Sequence, residues 1–376
     1  MRILIQGHVG DFHSTIVSHA LSAKGHEVYL WNGTNFPTRQ ERSLLIQGRA
    51  KVAWEVHGPG LDLHSVPFDV VWHRRPVPPV LPDDMHPGDR IIADHECSAF
   101  DHSFWQFVAP DAFWVNPLES RRRATSKPLQ LAEAARSGLQ TPPTLFSNDP
   151  QMIRQFIARY EGRAIYKAFT PAQWSMADGA ALLFTTMVSL DDLPDDDTLR
   201  LTPGIFQPEI PKAYELRVTY MGGLAVTAKL LSQISPATKL DWRMNCPATP
   251  IEPTQLPSRV ERACRTLMKR LGVVFGCLDF IVTPEGEYIF LELNEMGQFL
   301  WVEDLNPDFK LLDCFCEFLI QRRAEGFCWR PSHDSVTCHE FRKLAEYQRE
   351  RESGLHVPKP NYYLVDDASA QAPMNV

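Results

Sequence analysis

The stretch that most constrains the fold is residues 277–304, because it has the pattern of a β-hairpin. Residues 278–283 and 288–293 are rich in aromatic and β-branched side chains, and the sequence Pro-Glu-Gly-Glu separates them. Two such runs around a glycine-containing turn are typical of paired antiparallel strands. A turn centred on Glu285 and Gly286 would set the pairing of every residue along both strands.

That register brings two acidic side chains together. Thr283 is predicted to face Tyr288, and counting back along both strands places Asp279 directly opposite Glu292. Like charges in opposite positions destabilise a sheet by roughly 0.2–1 kcal/mol even before burial. A divalent cation removes this penalty, and Asn294, on the same face as Glu292, adds an amide oxygen to a ligand set that Mg²⁺ accepts. The alternative is an acidic pair on a solvated sheet face, although asparagine followed by Gly-Gln is unusual at a plain strand end.

Composition limits the possible classes of protein. A chain of 376 residues should hold two or three domains. The net charge of −8 argues against nucleic acid or an anionic membrane as a partner. We find no apolar run of membrane-spanning length, no signal peptide at the start and no CxxC spacing among the 8 cysteines. A reducing cytoplasm is therefore the predicted compartment.

Residues 1–115 alternate strand-like and helical patterns, which predicts an α/β layer. Residues 2–6, 27–31 and 68–72 have the pattern of strands, and a helical pattern lies between the first two. The loop after the first strand lacks the GxGxxG fingerprint, so a tight strand-to-helix turn is favoured over a dinucleotide site. Residues 73–95 are rich in proline and charge and are predicted to form a loop or a crossover region.

The composition shifts near residue 116, where a domain boundary is predicted. Asp149 precedes a proline and an apolar helical pattern, which predicts a helix with an aspartate cap. Past residue 330 the chain becomes polar. Residues 339–353 are predicted to form a charged helix, and residues 357–376 a partly disordered tail.

Several polar residues occupy predicted strand positions or the starts of elements, and together they combine cations with hard metal ligands. A triphosphate needs both, because cations neutralise its oxygens and Mg²⁺ bridges them. The chain lacks GxxxxGK[ST], so it is not a P-loop protein, and it offers no credible serine or cysteine nucleophile. The set consists of Lys127, Lys167, Gln207, Glu209, Glu215, Arg217, Arg243, Asp279, Glu292 and Asn294.

The order of this set resembles that of the ATP-grasp ligases over nearly all of residues 1–330. The chain is most similar to the graspetide synthetases, the microviridin-type ligases that cross-link ribosomally made peptides. The strings VWHRRP, WVNP and DWR are similar to that peptide-modifying branch. Those shared with ATP-grasp ligases generally are SKPLQLAEAARSGLQTPPT, AIYKAF, FQPEIPKAYELRVTYMGG and GCLDFIVTPEGEYIFLELNEMGQFLWVED.

The resemblance implies an α/β ATP-grasp fold in several segments. These are an N-terminal pre-ATP-grasp α/β domain (1–115), a central domain (116–202), a C-terminal ATP-grasp domain (203–330) and an extension (331–376) that the family pattern does not cover. The resemblance also implies a homodimer.

ATP and Mg²⁺ are the implied cofactors, and the resemblance gives each polar residue a role. Lys127 and Lys167 would hold the α- and β-phosphates. Arg217 and Arg243 would face the γ-phosphate and the acyl phosphate formed from it. The segment from Gln207 to Ile210 would be the hinge along adenine, with Glu209 at the amino edge of the base. Glu215, where many members have Asp, would bind the ribose hydroxyls. Asp279, Glu292 and Asn294 would bind two Mg²⁺.

The reaction implied by the resemblance is ligation through an acyl phosphate. The leading hypothesis is an enzyme that forms ester or amide links between Asp or Glu side chains and Thr, Ser or Lys of a precursor peptide with leader and core segments. The alternative is an ATP-grasp ligase that joins free amino acids or small peptides. A third hypothesis is a non-catalytic regulator that binds a nucleotide. It does not account for the three hard metal ligands Asp279, Glu292 and Asn294, because ATP can be bound without them. The acidic loop 191–197 is a candidate contact for the leader.

Overall fold

The computed structural model describes residues 1–48, 51–160, 163–170, 173–176, 179–182, 184–352, 354–360 and 364–365. Its strands are β1 (Arg2–Gly7), β2 (Glu27–Asn32), β3 (Glu41–Gln47), β4 (Lys51–Gly58), β5 (Leu61–His64), β6 (Val70–His73), β7 (Phe113–Val115), β8 (Leu145–Ser147), β9 (Ala164–Lys167), β10 (Gln173–Met176), β11 (Gly179–Leu182), β12 (Thr186–Val188), β13 (Gly204–Pro208), β14 (Tyr214–Met221), β15 (Leu224–Leu230), β16 (Ile251–Thr254), β17 (Phe275–Val282), β18 (Tyr288–Asn294) and β19 (Leu364–Val365). Its α-helices are α1 (Phe12–Ala23), α2 (Pro87–Val108), α3 (Leu118–Ala124), α4 (Lys127–Arg136), α5 (Pro150–Arg159), α6 (Asp196–Leu201), α7 (Ser258–Leu271), α8 (Leu300–Leu305), α9 (Leu311–Gln321) and α10 (Cys338–Arg351).

The N-terminal part is built on a parallel sheet with the strand order β2-β1-β6-β7. Strand β1 is buried along almost its whole length, as expected for a parallel strand covered on both faces. The chain turns directly from Gly7 into α1 at Phe12. The predicted α/β layer and the tight strand-to-helix turn are therefore confirmed. Among the described residues, no helix is both long and apolar enough to cross a membrane.

Two features of this part differ from the sequence-based expectation. Strands β3, β4 and β5 form a separate antiparallel sheet that was not predicted. Of the two alternatives predicted for residues 73–95, a loop is wrong for residues 87–95, because α2 begins at Pro87 in the connection between the parallel strands β6 and β7. Proline suits the first helical position, where its missing N–H leaves no hydrogen bond unmade, and the ring of His86 accepts a hydrogen bond from Gly88 N at 3.2 Å.

The predicted hairpin lies in a five-stranded antiparallel sheet with the order β16-β15-β14-β17-β18. Asp279 pairs with Glu292 as predicted, but the predicted pairing of Thr283 with Tyr288 is wrong, because Tyr288 pairs with Val282. The turn spans three residues instead of two, since Thr283 N donates to Glu287 O at 2.9 Å. A register shift between residues 279 and 280 then restores the predicted pairing.

A smaller antiparallel sheet, with the order β12-β9-β13-β8, occupies the middle of the chain. Helix α5 packs on it through Ile153 and Ile157, which are fully buried. Strand β13 belongs to this sheet, although the predicted domain limit at 202/203 separates it from the other three strands. The domain limits themselves stay predictions.

Helix α9 joins the parallel sheet and the five-stranded sheet into one hydrophobic core. The ring of Phe315 lies 4.7 Å from that of Trp72, 4.7 Å from that of Phe275 and 4.9 Å from that of Phe299. Burying side chains of this size stabilises a fold by roughly 1.5–3 kcal/mol each. The N-terminal sheet is therefore packed firmly against the sheet that carries Asp279 and Glu292.

The described part of the C-terminal extension packs against the rest of the protein. Helix α10 confirms the predicted charged helix, and the buried carboxylate of Glu303 accepts hydrogen bonds from Cys338 N and Leu312 N. His356 is buried between the side chains of Asn32 and Asn35. Within the predicted disordered tail at 357–376, residues 361–363 and 366–376 lie outside the described residues.

The start of α5 offers a test of the local helix signal. The Asp149 carboxylate accepts hydrogen bonds from Gln151 N at 2.9 Å and Met152 N at 3.3 Å. We expect Asp149→Ala to lower the free energy of unfolding by about 1 kcal/mol, because two amides of the first turn lose their acceptor. Urea denaturation measures this, with exposed Asp191→Ala as the control. Equal stability of both variants would contradict the assignment of the cap.

Candidate nucleotide and metal site

The centre of the candidate site is a row of charged residues across three neighbouring strands. Arg217 on β14 pairs with Asp279 on β17, which pairs with Glu292 on β18. Arg217 Nη1 donates to both carboxylate oxygens of Asp279, at 2.9 and 2.8 Å. The cation thus compensates one of the two opposed carboxylates.

A second cation compensates the other carboxylate. Lys127, the first residue of α4, donates to Glu292 Oε2 at 2.8 Å. Burial by itself raises the pKa of Glu292, but Lys127, Lys167 and Arg243 outweigh it and lower that pKa to about 2. Burial raises the pKa of Asp279, against the effect of Arg217, and the negative charge of Glu292 adds to the rise. The two carboxylates therefore act as one coupled pair.

Lys167 and Arg243 complete the cationic side of the site. Lys167 lies at the end of β9, and burial lowers its pKa while the Glu292 carboxylate opposes that effect. Arg243 donates through Nε to Asp241 Oδ1 at 2.8 Å and keeps 51% of its side chain exposed. Asp241 also accepts from Arg243 N at 3.1 Å, so it fixes both the backbone and the side chain of Arg243.

Glu215, the residue predicted to bind the ribose hydroxyls, lies beside this cluster. Its partner is a lysine that was not predicted from the sequence. Glu215 is buried and accepts a hydrogen bond from Lys212 Nζ at 2.9 Å. Lys212 Nζ also donates to Leu240 O at 2.9 Å, next to Asp241. Burial raises the pKa of Glu215, against the effect of Lys212. The Pro-Lys pair just before β14 was the available sequence signal for this cation.

The hinge candidates have partners of their own, and among the described residues these partners do not include Arg217, Asp279 or Glu292. Gln207 is buried and donates to Thr144 Oγ1 at 2.9 Å. Glu209 forms an ion pair with Arg163 at 3.2 Å near the surface, and Ile210 follows it outside β13. The roles of these residues along adenine stay predictions.

The donor set fits a hard divalent cation. Asp279 and Glu292 keep 18% and 32% of their side chains exposed, so a ligand can reach both carboxylates. Asn294 lies on the same strand two residues after Glu292, which places it on the same face. Arg217 Nε is buried without a hydrogen-bond partner among the described residues. Two carboxylates, an amide and several cations suit Mg²⁺ together with phosphate oxygens.

The Lys127–Glu292 pair should make stability depend on pH. The pKa of Glu292 is lowered from 4.5 to about 2, so the pair stabilises the fold above pH 4.5 and loses this effect as the pH falls towards 2. In Lys127→Met we expect the loss of stability over that range to be shallower than in the wild type. Urea denaturation at a series of pH values measures it. Exposed Lys239→Met should keep the wild-type slope, and a wild-type slope in Lys127→Met would contradict the pair.

Comparisons with known proteins identify the family to which this fold is similar. The family model described as the MvdD pre-ATP grasp domain matches residues 2–122. The macrocyclase MdnB from Microcystis aeruginosa MRC is 30% identical, with a TM-score of 0.72 over 85% of this chain and 99% of that chain. The macrocyclase MdnC from the same organism, bound with precursor peptide MdnA, is 29% identical, with a TM-score of 0.74 over 85% of this chain and 100% of that chain.

A third similar structure is a RiPP-associated ATP-grasp ligase from Chryseobacterium gregarium in complex with ADP and a leader and core peptide. It is 27% identical, with a TM-score of 0.76 over 87% of this chain and 99% of that chain. A comparison with curated proteins found no match.

The fold, the charged site and these matches together define an ATP-grasp ligase. The match with the macrocyclase MdnB, at 30% identity, covers 85% of this chain and 99% of that chain. Within its class, the chain belongs to the graspetide-type ATP-grasp synthetases.

Proposed function

We propose that this protein uses ATP and Mg²⁺ to activate Asp or Glu side chains of a ribosomally made precursor peptide and joins them to Thr or Ser hydroxyls or Lys amines. The observation that carries the proposal is the row on three neighbouring strands in which Arg217 pairs with Asp279, and Asp279 with a second carboxylate, Glu292. Similar proteins with a precursor peptide or with ADP support the substrate class.

The proposed reaction has two steps that need no covalent enzyme intermediate. A peptide carboxylate attacks the γ-phosphorus of ATP, which forms an acyl phosphate and releases ADP. A hydroxyl or amine then attacks the acyl carbon, loses its proton and expels phosphate. Both steps move negative charge on phosphate oxygens, so fixed cations around those oxygens accelerate them.

The charged residues have distinct parts in this proposal. Asp279, Glu292 and Asn294 would hold Mg²⁺, which would supply positive charge to stabilise the phosphate oxygens. Lys127 then exchanges its present partner, Glu292, for a phosphate oxygen. Lys167 adds a second cation on the same side of the site.

The second half of the proposed phosphate site consists of two arginines. Arg217 keeps one donor without a partner while it holds Asp279, and that donor is satisfied when an anionic ligand is bound. Arg243 faces the γ-phosphate and the acyl phosphate. Its exposed position, set by Asp241, leaves the guanidinium accessible to substrate.

The nucleoside and the peptide are assigned by the same reasoning. We propose that the segment from Gln207 to Ile210 lies along adenine and that Glu215 binds the ribose hydroxyls. The acidic loop 191–197 is the proposed leader contact. Within it, Asp195 caps α6 and Asp192 accepts hydrogen bonds from Ser189, so the loop presents negative charge from a fixed backbone.

A cytoplasmic homodimer is proposed for the assembled enzyme. Leu45 and Ile46 on β3 are 55% and 61% exposed, and Ile91 and Ile92 on α2 are 62% and 64% exposed. Apolar side chains in such exposed positions are available to a second copy. Sedimentation of the purified protein measures the state, and a single monomeric species at micromolar concentration would contradict it.

The substrate class is tested with a short peptide rich in Thr and Glu or Asp encoded beside this protein. Incubation with ATP and Mg²⁺ should remove one water mass for each bond formed, as mass spectrometry measures. The matched control is the same peptide with its acidic core residues changed to Gln and Asn. ATP turnover on free amino acids, with the peptide unchanged, would instead support a ligase of small amino acids.

A further inference from the structure

The loop between β18 and α8 follows directly on Asn294 and is held by side chains from the first 116 residues. Arg74, at the end of β6, is fully buried and donates through Nη1 to Met296 O at 2.7 Å and Gly297 O at 2.6 Å. Its Nε donates to Asp11 Oδ2 at 2.6 Å. One buried arginine thus connects the N-terminal sheet with the backbone next to the proposed metal ligands.

Other N-terminal side chains hold both ends of the same loop. Asn116 Nδ2 donates to Glu295 O at 2.9 Å. His13 Nε2 accepts hydrogen bonds from Phe299 N and Leu300 N, both at 3.2 Å. Together with Arg74, these residues bind the backbone polar groups at five positions, namely 295, 296, 297, 299 and 300.

The remaining position of the loop is bound by the proposed active site itself. Arg217 Nη2 donates to Gln298 O at 2.8 Å while Nη1 holds Asp279. Gly297 has φ +55° and a Cβ placed there would lie 2.3 Å from the Phe275 ring, so the loop has little freedom to adopt another path. Displacement of the loop would therefore move the acceptor that orients Arg217.

We propose that Arg74 is a positioning residue for phosphoryl transfer: it fixes the loop after Asn294 and thereby aligns Asn294 and Arg217 with Asp279. This inference rests on the proposed function. Arg74 touches neither metal nor substrate in this scheme and acts through the carbonyls of Met296 and Gly297. Misplacing a catalytic group by about 1 Å can cost about 10²-fold in rate, so the alignment has a measurable effect.

The chain contains a matched control for a purely structural role. Arg42 keeps 1% of its side chain exposed, forms an ion pair with Asp101 and lies over the Phe36 ring at 4.2 Å. Like Arg74, it is a buried arginine of the N-terminal part with an aspartate partner. Its other contacts are with Gln40, Trp31 and Phe104, and among the described residues none of its partners lies in the loop at 295–300.

The experiment compares Arg74→Met with Arg42→Met in the full chain, at a temperature where circular dichroism shows both folded. Readouts are kcat and the Mg²⁺ concentration that gives half-maximal ATP turnover. We expect Arg74→Met to raise that concentration about tenfold and to lower kcat by about 10²-fold. Arg42→Met should change melting temperature but neither readout. Arg74→Lys, which keeps the charge and one donor, should restore part of the loss.

If Arg74→Met does not fold, the double variants Asp11→Asn/Arg74→Met and Asp101→Asn/Arg42→Met replace the pair, because neither leaves a buried charge alone. Wild-type Mg²⁺ dependence in the Arg74 variant, or equal changes in both variants, would overturn the proposal. Failure of the proposed function looks different: wild-type protein would lack Mg²⁺-dependent ATP turnover, or Glu292→Gln would retain it.

Discussion

Asp279→Asn should reduce ATP turnover by at least about 10²–10³-fold, the loss typical when one charge-stabilising group is removed from an active site. The carboxylate at this position faces Glu292 and is the proposed Mg²⁺ ligand nearest Arg217. Asparagine keeps the size of the side chain and leaves one oxygen to accept from Arg217. Alanine is a poorer choice, because Arg217, whose side chain is 5% exposed, would lose its carboxylate partner at a cost of roughly 3–5 kcal/mol.

The control for this variant is Asp313→Asn. Asp313 is another buried carboxylate, paired with Lys24 at 2.8 Å and bound by Trp329 Nε1 at 2.9 Å, and it lies outside the proposed site. We expect this control to lose stability and keep turnover per folded molecule. ADP release in a coupled assay measures turnover, and thermal unfolding measures stability. Near-wild-type turnover in Asp279→Asn would remove the metal assignment.

Arg243→Ala should have the second largest effect, a fall in kcat of about 10²–10³-fold with a small change in stability. Half of the Arg243 side chain is exposed, so its removal leaves little unfilled space in the core. Asp241 then loses its guanidinium partner but still accepts from the backbone N–H of residue 243. A residue that acts on the transferred phosphoryl group should change kcat more than KM for ATP.

The matched control is Arg265→Ala, since Arg265 is 54% exposed and pairs with Glu261 on the outer face of α7. Turnover and formation of the peptide cross-link should both be normal in this variant. A rise in KM for ATP without a fall in kcat in Arg243→Ala would place Arg243 at ground-state binding of the nucleotide. That result would contradict its proposed role at the γ-phosphate.

The pairing of Asp279 with Glu292 could be predicted from the sequence because side chains alternate along a strand with a period of two. The predicted turn was one residue too short, and the register shift between residues 279 and 280 compensated for the error. Sequence patterns do not encode such a shift directly. The central pair was therefore correct although the pairing next to the turn, at Thr283, was not.

Other parts of the fold could not be predicted because their signals are weak or depend on distant contacts. The first turn of α2 lies in a proline-rich stretch. Such a composition favours a loop, although the helix begins at Pro87. In the small β3–β5 sheet, Leu45 and Ile46 are neighbours on β3 and both are exposed to solvent. The strand therefore lacks the alternation of buried apolar and exposed polar residues by which strands are predicted.

In the site as well, some features could be predicted from the sequence and others could not. Lys127 and Arg217 were identified as cations, but their ion pairs with Glu292 and Asp279 join residues 165 and 62 positions apart and are visible only in the fold. Arg74 lies in the proline- and charge-rich stretch 73–95, yet it is fully buried against Asp11. A buried arginine is recognised by its partner, and nothing local in the sequence indicates that partner.

The most direct test of the account is a crystal structure with Mn²⁺ in place of Mg²⁺ and a non-hydrolysable ATP analogue. Anomalous scattering locates Mn²⁺ independently of the refined side chains. We predict a strong anomalous peak between the carboxylates of Asp279 and Glu292, with Lys127 moved from Glu292 to a phosphate oxygen. Analogue bound with no anomalous peak within coordination distance of either carboxylate would contradict the account.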